Sequence, residues 1–128
     1  MQATASTRIL VADDNRDTAD SSALLLELDG HEVRVAYSGT EALQVFEEFA
    51  PQLALLDIGM PGMNGYQLAR SIRARETGRK TLLVAITGWD QEGDRLRAAE
   101  AGFDAHRAKP VDFDTLGPLI AQCAAQPG

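Results

Sequence analysis

Short apolar runs alternate with helix-forming segments along the whole chain, and this alternation restricts the fold more than any other feature. Continuous apolar runs occupy residues 9–12, 53–56 and 82–86, and weaker strand patterns occupy residues 32–37 and 103–108. Short continuous apolar runs are typical of parallel strands that are covered on both faces. The alternation therefore predicts an α/β fold with a five-stranded parallel sheet and helices on both faces.

Helix start and stop signals lie between these runs. Asn15 is a good N-cap for a first helix, whose large apolar residues share one face: Leu24, Leu25 and Leu28. In the next helix Ser38 and Glu41 have the spacing of a capping box, and Pro51 ends the apolar period that follows. These signals support a strict alternation of strand and helix.

Two segments in the last third of the chain depart from the regular pattern. Residues 90–101 have helical character, but Leu96 is their only large apolar residue, so this helix should dock loosely and is a candidate moving part. Pro118 interrupts the apolar period of the last segment, and a proline inside a helix removes a hydrogen bond. We expect a separate turn there, followed by a helix over residues 118–125.

Length and composition fit one domain. The 128 residues are 45% hydrophobic, which is enough for a single core, and we expect a domain over residues 8–125 between a flexible segment, 1–7, and a tail, 126–128. The formal charge of −7 argues against direct binding to nucleic acid. Cys123 is the only cysteine, and no signal or membrane-spanning pattern is present, so we expect a cytoplasmic protein without membrane insertion.

Polar side chains follow the predicted strands at the points where the strands end. Asp13 and Asp14 follow the first strand, Asp57 ends the third, Thr87 the fourth and Lys109 the fifth. The flavodoxin-like strand order 2-1-3-4-5 is the natural choice for such a sheet, and it makes strands 1 and 3 neighbours at the switch point. Three carboxylates, a hydroxyl and an ammonium should therefore converge on one edge, as in a site for a cation and a phosphoryl group.

The adjacent carboxylates of Asp13 and Asp14 would repel each other unless a cation lay nearby. Hard oxygen ligands without histidine or cysteine suit Mg²⁺. The alternative is that Asp13-Asp14-Asn15 is only a helix-capping loop.

Asp57 has two interpretations of its own. It is either a third metal ligand only, or a nucleophile whose oxygen attacks phosphorus to give an aspartyl phosphate. The second role requires the site to offset charge on the phosphoryl group, which Mg²⁺, the Thr87 hydroxyl and the Lys109 ammonium would do.

From about Arg8 to Ala125 the chain resembles the receiver domain of two-component response regulators. The matching residues are Asp13-Asp14, Asp57 in the stretch Leu-Leu-Asp-Ile-Gly-Met-Pro-Gly-Met-Asn-Gly, Thr87-Gly88 and Lys109-Pro110. The resemblance implies that Asp57 accepts a phosphoryl group from a histidine kinase or histidine phosphotransfer protein. It also implies a Mg²⁺ ion bound by Asp14, Asp57 and the Gly59 carbonyl, with Asp13 acting largely through water.

The resemblance further implies a switch. Thr87 and Lys109 would hold the phosphoryl oxygens, the Lys109–Pro110 peptide would be cis, and helix 4, strand 5 and helix 5 would form the output surface. His106 stands where the family usually has Tyr or Phe, so it is either a smaller switch or surface contact, which we favour, or a pH-sensitive element. Gly59 and Trp89 lie where the family tunes hydrolysis of the phosphoryl group, although Trp89 is equally a candidate partner contact.

By this resemblance the protein is a phosphoacceptor that assists its own phosphotransfer and dephosphorylation, not an enzyme. Its output would pass through a downstream partner or a covalently linked effector. Its amino-acid sequence is similar to that of receivers joined to hybrid histidine kinases. A phosphate sink or a phosphorylation-independent binding module of the same fold remains the alternative. A flavin module is disfavoured because Asp13 and Asp14 would repel a phosphate, and the order of the acids also differs from that of aspartate-nucleophile phosphatases.

Overall fold

A computed structural model describes residues 6–75, 80–88 and 92–125 and places five parallel strands in one sheet. The strands are β1 (Arg8–Ala12), β2 (Glu32–Ala36), β3 (Leu53–Asp57), β4 (Leu82–Thr87) and β5 (Ala105–Ala108). Their order is β2-β1-β3-β4-β5, and each neighbouring pair is parallel. The predicted fold class and strand order are therefore confirmed.

Helices connect the strands on both faces of this sheet. They are α1 (Arg16–Leu28), α2 (Gly39–Phe49), α3 (Gly65–Arg73), α4 (Glu92–Ala101) and α5 (Gly117–Ala125). A separate 3₁₀ turn, Phe113–Leu116, precedes α5. The turn expected before Pro118 is thus confirmed, and the proline lies in the first turn of α5, where no backbone N–H is needed.

The core consists of two layers, because successive side chains of each strand point to opposite faces. On β1, Leu10 and Ala12 pack in the layer that contains residues of α2, α3 and α4. Ile9 and Val11 pack in the layer that contains residues of α1 and α5. All five residues of β3 are buried, as expected for a strand covered on both sides.

The buried face of α1 is not the leucine face. The leucines Leu24, Leu25 and Leu28 do share one side of the helix, but that side is exposed. The residues that α1 buries are mostly small: Ala19, Ala23 and Leu26. At 3.6 residues per turn these two stripes lie on opposite sides, and the alanine stripe allows the helix to approach the sheet closely.

Side-chain caps fix the starts of α2 and α3. The Ser38 hydroxyl accepts a hydrogen bond from the Glu41 N–H at 3.1 Å, while the Glu41 carboxylate accepts from the Tyr37 N–H rather than from Ser38. Asn64 and Gln67 form a complete box on α3, with reciprocal hydrogen bonds of 3.0 and 2.9 Å. The box on α3 was not identified from the sequence, and the one predicted for α2 forms only its Ser38 half.

Strand β5 begins later than the apolar pattern indicates. Phe103 packs in the layer of α2, α3 and α4 instead of in the sheet. The Asp104 carboxylate accepts hydrogen bonds from the Leu83 N–H at 2.9 Å and from the Arg73 guanidinium at 2.7 Å. The Asp104 side chain thus occupies the Leu83 N–H, and the strand starts at Ala105.

Thr7 is buried and its N–H donates to His31 Nδ1, so it belongs to the domain rather than to the predicted segment 1–7. Residues 1–5, Asp90 and the predicted tail 126–128 lie outside the described residues.

In α4 Leu96 is exposed, and Ala98 and Ala101 are buried. Within the described residues, no helix combines the length and apolar character needed to cross a bilayer.

Two glycines allow close contacts around the loop after β3. A Cβ at Gly65 would lie 2.6 Å from the Ile58 Cα and 2.8 Å from the Asp57 carbonyl oxygen. A Cβ at Gly39, the first residue of α2, would lie 2.5 Å from the Met63 carbonyl oxygen. Since the obstructing atoms are backbone, the loop between β3 and α3 would have to shift to admit any side chain.

Gly65→Ala should therefore destabilise the protein by about 1–3 kcal/mol, the usual cost of overpacking a tight contact. Gly117→Ala is the matched control, because a Cβ there meets nothing within 4 Å and the residue begins a helix. The control should be neutral or stabilising by up to about 1 kcal/mol. Urea unfolding of both variants measures the difference, and equal stability of the two would contradict the predicted clash.

Candidate phosphoryl and cation site

The carboxylates of two neighbouring strands lie buried at the carboxyl edge of the sheet. Asp13 follows β1 and Asp57 ends β3, and these residues are 4% and 6% exposed, whereas Asp14 is exposed. One oxygen of each buried carboxylate accepts a local backbone N–H at 2.9 Å, from Asn15 for Asp13 and from Gly59 for Asp57. These hydrogen bonds fix the orientation of both groups.

Lys109 brings a positive charge to the remaining oxygens. Its Nζ lies 3.0 Å from Asp13 Oδ2 and 3.4 Å from Asp57 Oδ2. Its backbone N–H donates to the Thr87 carbonyl at 2.8 Å, which ties the ends of β4 and β5 together, and the Lys109–Pro110 peptide is cis. The ammonium at the end of β5 thus reaches carboxylates at the ends of β3 and β1, which lie two and three positions away in the sheet.

Burial and charge act in opposite directions on the titration of these groups. Burial raises the pKa of Asp57 and the Asp13 charge adds to the increase, while the Gly59 N–H and the Lys109 ammonium oppose it only in part. For Lys109, burial alone would lower the pKa, but its hydrogen bond to Asp13 and the charges of Asp13 and Asp57 raise it overall. The ammonium therefore remains charged at neutral pH.

The acidic cluster has the donor chemistry of a hard-cation site. Carboxylate oxygens of Asp13, Asp14 and Asp57 all lie within 4.8 Å of one another. Three carboxylates face a single ammonium, so negative charge dominates. Oxygen donors of this kind fit Mg²⁺, which takes few protein carboxylates and retains water. Gly59 leaves the side of the acidic cluster next to Asp57 open, because a Cβ at Gly59 would meet only Asp57 Oδ1, at 3.5 Å.

Of the remaining candidates, Thr87 ends β4 and His106 lies on β5. Thr87 is 2% exposed, and its hydroxyl has no hydrogen-bond partner among the residues that the structure describes. It directly follows Ile86, which is the register partner of Asp57. His106 lies on β5 opposite Ala85 and is half-buried. Trp89 lies outside the described residues.

A groove of about 600 Å³ opens beside the charged cluster, between α1 and the segment after β5. Its sheet-side lining includes Val11, Leu55 and Ile86, and Asp13 and Lys109 also line it. The groove therefore reaches the charged residues. It was not identified from the sequence, because its width depends on the distance between two elements far apart in the chain.

Two relatives match this chain over different fractions of their own length. An uncharacterised 14.6-kDa protein of Leptolyngbya boryana is 38% identical over 128 residues, which cover 99% of this chain and 98% of that protein. Response regulator MprA of Mycobacterium ulcerans is 32% identical over 87% of this chain. That match covers 47% of MprA, so the chain spans about half the length of that relative.

A solved structure and a family model agree with these matches. The receiver domain of the sensor histidine kinase PA1611 of Pseudomonas aeruginosa, which has a magnesium ion in its active-site cleft, superposes with a TM-score of 0.84 at 28% identity. The superposition covers 95% of this chain and all of that domain. Residues 9–121 match the model of the response regulator receiver domain. The chain belongs to the response regulator receiver domain family.

Proposed function

We propose that the protein is the phosphoacceptor of a two-component phosphorelay, with Asp57 as the phosphorylated residue. The observation that carries this proposal is the group of partners around the Asp57 carboxylate. The Lys109 ammonium lies 3.4 Å from Asp57 Oδ2. Thr87 follows Ile86, the register partner of Asp57, and its buried hydroxyl has no hydrogen-bond partner among the described residues. An ammonium and a free hydroxyl are the groups that a dianionic phosphoryl group requires.

The proposed reaction is a transfer from a phosphohistidine. An Asp57 oxygen attacks phosphorus and forms the new P–O bond, while the bond from phosphorus to the imidazole nitrogen breaks. The electron pair stays on that nitrogen, which takes a proton, and the product is an aspartyl phosphate. In this scheme Lys109 neutralises the transferred oxygens, and Thr87 donates to one of them.

In this proposal Asp13, Asp14, Asp57 and the Gly59 carbonyl hold Mg²⁺, with Asp13 acting largely through water. The clustered carboxylate oxygens support it, as does the magnesium ion in the cleft of the PA1611 receiver. When bound, the ion supplies positive charge that offsets the charge of the phosphoryl group. Gly59 and Trp89 would control the access of water to the product.

We further propose that the phosphodonor is a cytoplasmic histidine kinase or histidine phosphotransfer protein. The groove between α1 and the segment after β5 supports this, because Asp13 and Lys109 line it and its volume of about 600 Å³ can admit side chains of a partner. The protein would then act as a signalling module rather than as an enzyme. Its output would pass to a protein partner or a linked effector.

Phosphoryl incorporation tests the assignment of Asp57 directly. Wild-type protein with Mg²⁺ and acetyl phosphate should gain one phosphoryl group, detected by intact-protein mass spectrometry. Asp57→Asn should gain none, because an amide oxygen is a poor nucleophile. The exposed Asp114 offers a matched control, since Asp114→Asn should behave as wild type. Continued labelling of Asp57→Asn would show that another residue is the acceptor.

The raised pKa of Asp57 predicts how stability depends on pH without metal. A folded-state pKa above the ordinary 3.8 means that the folded protein binds this proton more tightly than the unfolded chain. With EDTA at pH 7, Asp57→Asn should therefore be more stable than wild type, by on the order of 1 kcal/mol.

This advantage of Asp57→Asn should shrink as the pH falls through the raised pKa, because wild type then binds its proton. Thermal melts from pH 4 to 8 measure the difference. Added Mg²⁺ should raise the melting temperature of wild type far more than that of the variant. A difference independent of pH would contradict the effect of burial on Asp57.

We propose that Thr87 carries the phosphorylation signal to α4 and β5, with His106 as a smaller switch residue. Beryllofluoride with Mg²⁺ should shift the amide NMR signals of residues 92–108 in wild type. Thr87→Ala should still bind beryllofluoride but lose most of those shifts, because the hydroxyl that turns toward the ligand is gone.

His106→Phe distinguishes the two interpretations of His106. If the histidine is only a smaller switch, wild type and His106→Phe should show the same pH dependence of the response between pH 5 and 8. A pH dependence found in wild type and lost in His106→Phe would establish the pH-sensitive alternative.

A further inference from the structure

Arg16, the first residue of α1, carries a positive charge close to the acidic cluster. It lies two residues after Asp14, and both residues are exposed. A guanidinium group pairs readily with a carboxylate, frequently through two hydrogen bonds at once. An arginine in this place can therefore compete with Mg²⁺ for the carboxylates of the cluster.

In the structure the Arg16 guanidinium lies over an aromatic ring. Its Cζ is 4.1 Å from the centroid of the Tyr37 ring, and Tyr37 directly follows β2. The Tyr37 hydroxyl donates a hydrogen bond to the Asp20 carboxylate at 2.6 Å, and this bond raises the pKa of the phenol. Arg16 and Asp20 are four residues apart, so they are neighbours on the surface of α1. Tyr37 thus contacts two successive turns of the helix.

Backbone hydrogen bonds place Tyr37 beside the acidic loop independently of Arg16. The Asp13 N–H donates to the Ala36 carbonyl at 3.1 Å, which joins the end of β2 to the start of that loop. The Tyr37 N–H donates to the Glu41 carboxylate at 2.6 Å. The ring is therefore a fixed surface on which the long and exposed Arg16 side chain can rest.

We propose that Tyr37 is a positioning residue, which holds the Arg16 guanidinium away from Asp13 and Asp14 and so keeps the acidic cluster available to Mg²⁺. The inference rests on the proposed magnesium site. A cation–π contact at an exposed position is weak, and it changes an equilibrium about two- to fivefold. Loss of the ring should shift Arg16 toward the carboxylates by a factor of this size.

A merely structural role of the contact has a different consequence. If Arg16 and Tyr37 only fastened the start of α1 to the end of β2, removal of either residue would disturb the acidic loop, and the affinity for Mg²⁺ would fall in both variants. If Tyr37 restrains Arg16, only removal of Tyr37 lowers the affinity, and additional removal of Arg16 restores it. The two roles are therefore distinguished by the sign of the effect of Arg16.

A titration of the full chain with Mg²⁺ at low ionic strength, followed by the amide NMR signals of residues 57–59, measures the affinity. Tyr37→Leu should bind Mg²⁺ about two- to fivefold more weakly than wild type, and added salt should reduce this difference. Arg16→Gln should bind at least as tightly as wild type, and Tyr37→Leu/Arg16→Gln should match Arg16→Gln. Tyr37→Phe retains the ring and should bind as wild type.

Arg34 offers a matched control for the change in net charge. Its Cζ lies 5.0 Å from the centroid of another ring, that of Phe49. Phe49 ends α2 shortly before β3 begins, so this pair lies at the edge of the sheet opposite the acidic cluster. Tyr37→Leu/Arg34→Gln loses the same charge as Tyr37→Leu/Arg16→Gln, but it should bind Mg²⁺ as weakly as Tyr37→Leu.

Wild-type affinity in Tyr37→Leu, or a weakened affinity in Arg16→Gln, would overturn the inference alone. A double variant Tyr37→Leu/Arg16→Gln as weak as Tyr37→Leu would do the same. A second measurement needs no variant: ring current should move the Arg16 δ-proton NMR signals of wild type upfield, and signals at the ordinary arginine position would contradict the contact. A wild type that does not respond to Mg²⁺ would overturn the magnesium site itself, and the inference with it.

Discussion

The carboxyl edge of the sheet depends on one interaction, the contact of the Lys109 ammonium with two buried carboxylates. Asp13 and Asp57 lie on adjacent strands, where their charges would repel each other and lose hydration. The ammonium reaches both carboxylates from the end of β5. Its positive charge offsets the free-energy cost of their repulsion and lost hydration, which apolar packing could not reduce. The strand order serves this contact, since it brings together residues that are far apart in the chain.

Most of the fold could be predicted because its signals are local. A strand buried on both faces leaves a continuous apolar run, and the polar residue that ends the run marks the carboxyl edge. Asp13, Asp57, Thr87 and Lys109 were found in this way. Pro118 is likewise a local signal, because a proline cannot lie in the interior of a helix without loss of a hydrogen bond. The 3₁₀ turn lies directly before the helix that contains this proline.

The features that were missed depend on contacts between distant segments. Helix α1 carries two stripes on opposite sides, and the larger residues favoured the stripe that is exposed, because periodicity does not tell which side meets the sheet. The start of β5 depends on the bonds of Asp104 with Arg73 and Leu83. The groove depends on the spacing between α1 and the segment after β5. None of these has a local pattern.

The loop after Asp57 is held at both ends, because Gly65 contacts the backbone of Ile58 and Gly39 lies against Met63. The capping box of Asn64 then fixes the residue at which α3 begins. An inserted or deleted residue would break one of these contacts, whereas a new side chain at exposed Gly59 or Pro61 would break none. Evolution and protein engineering alike are therefore freer to change the exposed side chains at positions 59 and 61 than to change the length of this loop.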